Sequence, residues 1–597
     1  MDDPRSDPLE DIYAAAADRA RRTVAAAFDL QRVGGAALAN DRGKFRDVWR
    51  VRLSKDAPVP YLLVGVPWVF PDELPDIFAP DDLTRDGVRI PHVDSTRQVC
   101  TLDDTTRFPN PELAGEAVIE VIECAVKIIR DGLAGANATD YWDEFEAYWV
   151  DGAKNPTRAI SNVRPEPPHR HIVLSTLSPQ LGNASLLFAE DEAAALDFLA
   201  AVDRVPPKPT SRPALYLHLH SLGDAPDLRV NADVKRRLPP DAYEALLAFL
   251  KKTNRPAVVL FSIPVRGTRI MGGWVHQQYA METHHGTNSR RVIGQAAGFR
   301  PGHLPPDVEL TSKFGNLPID RIVVTRADAE RLIARTRAET NNGIGVVNVI
   351  GCGSVGGFLA RALAHARPSP LRLIDDQTLE VHNVPRHVCD LTFVGANKVD
   401  AVRSLLRRSD PHLPVEALPY DIRDVLRTNP AKLQPVHLSV VAVANVAIER
   451  RLNAAARSMQ LGTLGIVWIE PHAIAGHAII VPPHARGCFE CLVLPDGRVD
   501  VAVLQHPETF TIIDAGCRGS FVPYGGLDFE IFTNTIAREI LTASERGDSA
   551  VITWIGNVDE VHRNGWPVEE SWQAVERFSI HRRVLTARSD CPICTPA

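Results

Sequence analysis

The chain has 597 residues, 66 Lys+Arg against 74 Asp+Glu, a net charge of -8, and 45% hydrophobic against 23% charged residues. That length makes several cores rather than one, and the composition excludes a chain disordered throughout. A mildly acidic balance without a basic tail carries no electrostatic footprint for nucleic acid or an anionic membrane surface.

The N-terminal MDDPRSDPLEDIYAAAADRARR is acidic without an apolar core, so it does not read as a signal peptide, and no stretch approaches the roughly 18 uninterrupted apolar residues of a membrane span. The expectation is a cytoplasmic protein. Reducing conditions there disfavour disulfides, which leaves Cys100, Cys124, Cys352, Cys389, Cys488, Cys491, Cys517, Cys591 and Cys594 as metal ligands, nucleophiles or core.

Residues 12–30 are Ala-rich with interspersed polar residues, which predicts a helix. Strand-like DVWRVRL and VPYLLVGVPWVF follow, then a turn-rich passage to Cys100 and the helically spaced AVIEVIECAVKIIRDGL. Together they predict a small α+β unit ending near residue 155, with the Pro-rich NPTRAISNVRPEPPHRH after it as a linker. Residues 165–320 hold strand patterns (HIVLSTL, ASLLFA, ALYLHLH, AVVLFSI) and a helix at DAYEALLAFLKKT, the composition of an α/β scaffold. His218 and His220 fall on one face of a strand, with His169, His171, His284 and His285 elsewhere; lacking an acid or thiol at fixed spacing, they read as packed or surface residues. From about 345, GVVNVIG, GGFLARALAHA, LRLID, LSVVAVA and GIVWIE alternate strand and helix, which implies a parallel sheet.

Gly351-Cys352-Gly353-Ser354-Val355-Gly356 follows a strand and opens a helix, the context of a nucleotide-binding loop. Asp375 ends the next strand, about 20 residues on, where an acid binds a ribose hydroxyl. To that point NAD and ATP fit equally. Asn383, Arg386 and Lys398 follow on nearby loops, and two cations are more than a hydride transfer requires; they suit chemistry at a phosphate.

These residues (GxGxxG, the acid at the second strand end, N-x-x-R, then G-x-x-K) resemble the ThiF/MoeB and ubiquitin-activating enzyme family. The resemblance implies a domain that adenylates the C-terminal carboxylate of a ubiquitin-like protein with ATP and Mg, Asp375 holding ribose and Asn383, Arg386 and Lys398 serving the triphosphate. One position departs. Where the family has Asp-Asn after the fourth strand, this chain reads Val443-Ala444-Asn445, and Ala444 cannot bind a cation. Either Asp375 or Asp376 holds the metal, or adenylation is weakened.

Cys488-x-x-Cys491 and Cys591-x-x-Cys594 offer four thiolates, the set structural zinc prefers, and the same split arrangement occurs in that family. Redox pairs are the rival, but the C-terminal CPIC lacks an activating helix N-terminus. Cys517 lies in Asp514-Ala515-Gly516-Cys517-Arg518-Gly519, a small-residue loop before GLDFEIFTNTIAREIL, and resembles the thioester cysteine of activating enzymes. Upstream, Pro91-His92-Val93 and then Cys100 resemble the ubiquitin-conjugating fold, with its His-Pro-Asn turn, hairpin and acceptor cysteine, although the asparagine is absent. Cys100 would take an acyl group from Cys517 and pass it to an amine, with His92 either assisting transfer or bracing the hairpin. Cys124, Cys352 and Cys389 read as core.

The reading is a multidomain α/β chain: a ubiquitin-conjugating-like α+β domain (1–155), an α/β linker domain (156–325) and a Rossmann-like ThiF-type adenylation domain (326–597). It resembles the conjugating/activating fusions of bacterial CBASS anti-phage operons. That implies a donor with a flexible C-terminus (a ubiquitin-like protein or a CD-NTase), target lysines, a JAB-type isopeptidase, a homodimer, and no nucleic-acid or membrane partner. Two alternatives stay open. A NAD-dependent oxidoreductase would use the glycine loop but leaves Arg386, Lys398 and the CxxC pairs unexplained. A regulatory scaffold with an inactive nucleotide site would explain Ala444.

Overall fold

The structure is a computed structural model that describes residues 8–35, 38, 43–83, 90–94, 96–101, 110–150, 156–202, 211–223, 228–252, 256–276, 280–285, 288–293, 315–334, 343–459, 461–513 and 520–594. It divides into two compact units, Met1–Leu196 with Pro206–Asp328, and Asp197–Val205 with Ala329–Ala597.

The first unit begins with an antiparallel sheet whose five strands (Asp29–Val33, Phe45–Arg52, Tyr61–Pro67, Asp76–Phe78, Gln98–Val99) lie in chain order. Helices Pro8–Ala27 and Ala114–Leu133 share a core with it. The second helix presents Val118, Val121, Ile122, Ala125 and Ile129, spaced three and four apart, to Trp49, Val51, Leu62 and Val64. Gly115 lets the two helices touch: a Cβ there would lie 2.3 Å from Thr23. This is the expected α+β fold.

The middle section differs from expectation. Its strands close into a barrel in the order Ala257–Val265, Thr268–His276, Asp320–Arg326, Thr157–Ser161, Ala184–Ala189, Arg170–Leu181, Ser211–His218, the last pairing back to the first. The stretch read as a linker is therefore no linker. Thr157–Ser161 pairs in parallel on both sides, with Asp320–Arg326 and with Ala184–Ala189; Pro156 stands just before it, and Pro165, Pro167 and Pro168 fall in the bend that follows it. Pairing with distant strands outweighed the local proline signal.

The second unit is a Rossmann-like eight-stranded sheet ordered Val415–Leu418, Leu371–Ile374, Val347–Ile350, Leu438–Val441, Thr463–Ile469, Ala475–Val481, Ala550–Ile555, Ile580–Val584. The first five strands are parallel and the last three antiparallel. Val347–Ile350 and Leu438–Val441 are buried at every residue, which is why they read as continuous apolar runs. Among the described residues no helix is long and apolar enough to cross a membrane.

Candidate functional site

The glycine loop bends out of Val347–Ile350 because Gly351 takes φ +87°, and a Cβ there would lie 2.6 Å from the Ala442 carbonyl. Gly356 is more constrained still, since its Cβ would lie 1.7 Å from the Gly351 carbonyl; this contact seats helix Ser354–Ala364 on the loop. Gly353, which caps that helix, would meet nothing within 4 Å, so there is open space beside the helix N-terminus where a side chain would stand. Asp375 braces the loop, accepting from the Cys352 N–H (2.7 Å) through Oδ2 and from the Gln377 N–H (2.8 Å) through Oδ1. A brace that sequence reasoning missed is His387. Its buried ring donates from Nε2 to the Cys352 carbonyl (2.8 Å) and accepts from the Cys389 N–H at Nδ1 (3.1 Å); burial holds its pKa below the ordinary value.

Lys398 opens helix Lys398–Ser409, whose cap is Asn397. Its ammonium is buried, 7% exposed, and donates to the neutral Gln377 side chain (2.7 Å). A buried cation beside a neutral amide is compensated when an anion binds. Asn383 accepts from the Glu380 N–H (3.1 Å) and so fixes the turn Val381–Arg386. Arg386 donates to the Val522 carbonyl (3.2 Å) and lies over the rings of Phe521 (5.3 Å) and Tyr524 (5.4 Å). Ile512 pairs with Phe521 and Ile513 with Ser520, so the residues on either side of 514–519 are paired, with Phe521 against Arg386. Cys517 itself lies outside the described residues.

Ala444 has φ +50°, and after it Asn445 caps helix Val446–Met459 by accepting from the Ile448 N–H (3.1 Å). Glu449, not singled out by sequence, accepts from the Asn445 N–H (3.2 Å); burial pushes its carboxyl up to about 7. Asp376 is exposed next to Asp375.

The two CxxC pairs meet. Sulfur separations are 4.0 Å (Cys488 to Cys491), 3.7 Å (Cys488 to Cys591) and 3.5 Å (Cys491 to Cys594), against about 3.8 Å for the edge of a tetrahedron with 2.3 Å zinc–sulfur bonds. Strand Ile580–Val584 at the sheet's edge delivers the second pair across the long intervening sequence. The Arg588 N–H (3.4 Å, to Cys491) and the Arg457 guanidinium (3.6 Å, to Cys594) point at the sulfurs, as suits thiolates that hold a metal. The four sulfurs fit zinc.

In the first unit Cys100 is exposed, and its N–H donates to the His92 carbonyl (2.7 Å). His92 has φ +65°. Its Nδ1 lies 2.8 Å from Glu144 Oε1 and its Nε2 3.1 Å from Asp140 Oδ2. A neutral imidazole donates from one nitrogen only, so facing two carboxylates makes this ring a cation. Hydrogen bonds to Cys100, Glu144 and Asp140 together outweigh burial and raise its pKa to about 10. Tyr148 donates to Glu144 Oε2 (3.0 Å) and accepts from the His92 N–H. Cys100 Sγ, a His92 ring nitrogen and a Glu144 oxygen lie within 4.8 Å of one another. Asp140 opens the short helix Asp140–Asp143 and Glu144 is the turn residue that joins it to Phe145–Val150, a segment sequence reading passed over.

Of the three cysteines read as core, Cys352 and Cys389 are buried. Cys124 is not; it is half-buried and donates to the Thr101 carbonyl (3.3 Å), because its helix position borders the Cys100 loop. The barrel histidines gather no three-ligand set among the described residues.

The ThiF family model matches residues 345–518, and the Prokaryotic E2 family B model matches residues 26–157. The chain is 27% identical over 218 residues to the ATP-dependent ubiquitin transferase-like protein Cap2 of Pseudomonas aeruginosa, covering 36% of this chain and 38% of that protein. It is 27% identical over 159 residues to ubiquitin-like modifier-activating enzyme 5 of Xenopus laevis, covering 24% and 39%. The chain thus spans well under half the length of these curated relatives. Among solved structures, E. coli MccB with MccA-N7isoASN matches at 15% identity and a TM-score of 0.32, covering 45% of this chain and 71% of that one.

Proposed function

We propose that this chain, which carries a Prokaryotic E2 family B domain ahead of a ThiF domain, activates a protein's C-terminal carboxylate with ATP and ligates it to an amine. The observation that carries the reading is the buried Lys398 ammonium, linked to the glycine loop through Gln377 and Asp375, with Arg386 on the Val522 carbonyl next to the strand pair that flanks residues 514–519. The cradle's N–H groups and Lys398 would hold the triphosphate, so that charge developing as the carboxylate attacks the α-phosphorus meets fixed donors. Cys517 would take the acyl group as a thioester, splitting a hard transfer into easier steps, and Cys100 would receive it by thiol exchange.

Both Asp375 oxygens already bond loop N–H groups, which leaves the exposed Asp376 as the acid for Mg. Mg would screen the triphosphate charge. Zinc at Cys488, Cys491, Cys591 and Cys594 would be a structural clasp. The donor is a ubiquitin-like protein or a CD-NTase, the target amine a lysine, and the setting anti-phage defence with a JAB-type isopeptidase as the reversing enzyme; the working form is a cytoplasmic homodimer. The resemblance to the CBASS fusions supports this part.

Exchange of labelled pyrophosphate into ATP with a candidate donor tests the activation step: Lys398→Ala should abolish it, and exchange that survives refutes the site. Ala444 favours a second reading, a scaffold with an inactive nucleotide site. If that reading holds, the wild-type chain exchanges no pyrophosphate and Ala444→Asp, at a φ that Asp tolerates better than Ala, restores exchange.

A further inference from the structure

The acid pair beside Cys100 has no role in the activation chemistry, yet it is built with care. Asp140, Glu144 and Tyr148 recur every fourth residue and turn toward His92, while Phe145 and Trp149 turn the other way into the barrel core. Trp149 stacks on Phe145 (5.3 Å) and meets Phe261 edge-on (5.1 Å), and its indole N–H donates to the Ile322 carbonyl (2.9 Å). Arg266, on a barrel hairpin, pairs with Asp143. The barrel thus fixes the segment that holds both carboxylates against the imidazole.

We infer that Glu144 is the catalytic proton acceptor for the amine that attacks the Cys100 thioester, with His92 returning a proton to the departing sulfur and Asp140 positioning His92. This rests on the reading of Cys100 as an acyl carrier. A thioester carbonyl carbon sits one bond from Sγ, so an amine approaching it enters the space that Glu144, within 4.8 Å of that sulfur, already borders. The amine nitrogen bonds to the carbonyl carbon and its proton passes to the Glu144 carboxylate. The C–S bond then breaks, the sulfur takes a proton from His92, and His92 recovers one from Glu144 across their 2.8 Å contact. Protons balance without a further reagent. While the oxygen carries charge, the His92 cation is its neighbour, at the turn where the conjugating-enzyme asparagine is absent. The acid pair also draws a primary ammonium, which selects amines over neutral nucleophiles.

The test uses the full chain, loaded at Cys100 from a small acyl arylthioester and discharged with n-butylamine or with water across neutral to alkaline pH. Glu144→Gln should load normally and lose about 100-fold in aminolysis with a flattened pH profile. Glu144→Asp should recover much of the loss, and Asp140→Asn should shift the pH profile with a smaller loss. Loaded Glu144→Gln that discharges to butylamine at the wild-type rate overturns the inference alone. A wild-type chain that cannot be loaded at Cys100 overturns the inference together with the acyl-carrier reading.

Discussion

Replacing Glu144 by Gln keeps the side chain's shape and its capacity to accept from Tyr148, but removes one of the two negative charges that face His92. In the wild type His92 is raised from 6.5 to about 10 by Cys100, Glu144 and Asp140, a ceiling of about 5 kcal/mol at roughly 1.4 kcal/mol per tenfold change. With the carboxylates 28% and 31% exposed, solvent screening brings the real contribution nearer ~2 kcal/mol, shared among Cys100 as the largest cause, Glu144 and Asp140. The sign follows from the direction of the shift. A raised pKa stabilises the cation, so the contribution is full below about pH 6.5 and is lost as pH rises through about 10. Glu144 is the mirror case. Burial pushes its carboxyl up, but the bonds from His92 and Tyr148 prevail and lower it, so its share is lost as pH falls through that lowered value. Urea unfolding of both proteins from about pH 5 to about pH 11 should therefore show the variant weaker by ~1 kcal/mol near neutrality, with the gap closing above about pH 10. A gap that stays constant across the range would refute a charged His92.

Trp149→Ala removes a side chain that is 1% exposed together with its bond to the Ile322 carbonyl, and should destabilise the first unit by about 3–5 kcal/mol in denaturant titration. Two glycines of one loop should behave oppositely. Gly356→Ala, whose Cβ would meet a carbonyl at 1.7 Å, should lower Tm and abolish the ATP-induced thermal shift, whereas Gly353→Ala, with nothing within 4 Å, should fold with an unchanged Tm. Cys591→Ser should remove about one equivalent of zinc from the purified protein, measured by atomic absorption, and lower Tm of the second unit.

The Rossmann-like unit was legible because its parallel strands are buried on both faces and its glycines sit where only glycine fits; Gly351, Asp375 and Lys398 all fall where one local pattern places them. The four-cysteine cluster was legible too, since two CxxC pairs keep their chemistry whatever the spacing. What failed depended on partners far along the chain. Thr157–Ser161 is a barrel strand because of Asp320–Arg326, and nothing within its own neighbourhood outvotes the prolines around it. Asp140 and Glu144 belong to an acid-rich segment, one short helix and the residue that joins it to the next, a pattern shared with any solvated surface, and only the anchoring of Phe145 and Trp149 in the barrel turns them toward His92. His387 carried no sequence signal, being a single imidazole whose work is to hold one carbonyl.

A non-reducing gel of the full chain with ATP, Mg and a candidate C-terminal donor reads out the order of acyl transfer from Cys517 to Cys100. Two adducts that reductant removes are expected, with Cys517→Ala losing both and Cys100→Ala losing only the second. A Cys517→Ala protein that still carries the donor on Cys100 would contradict that order.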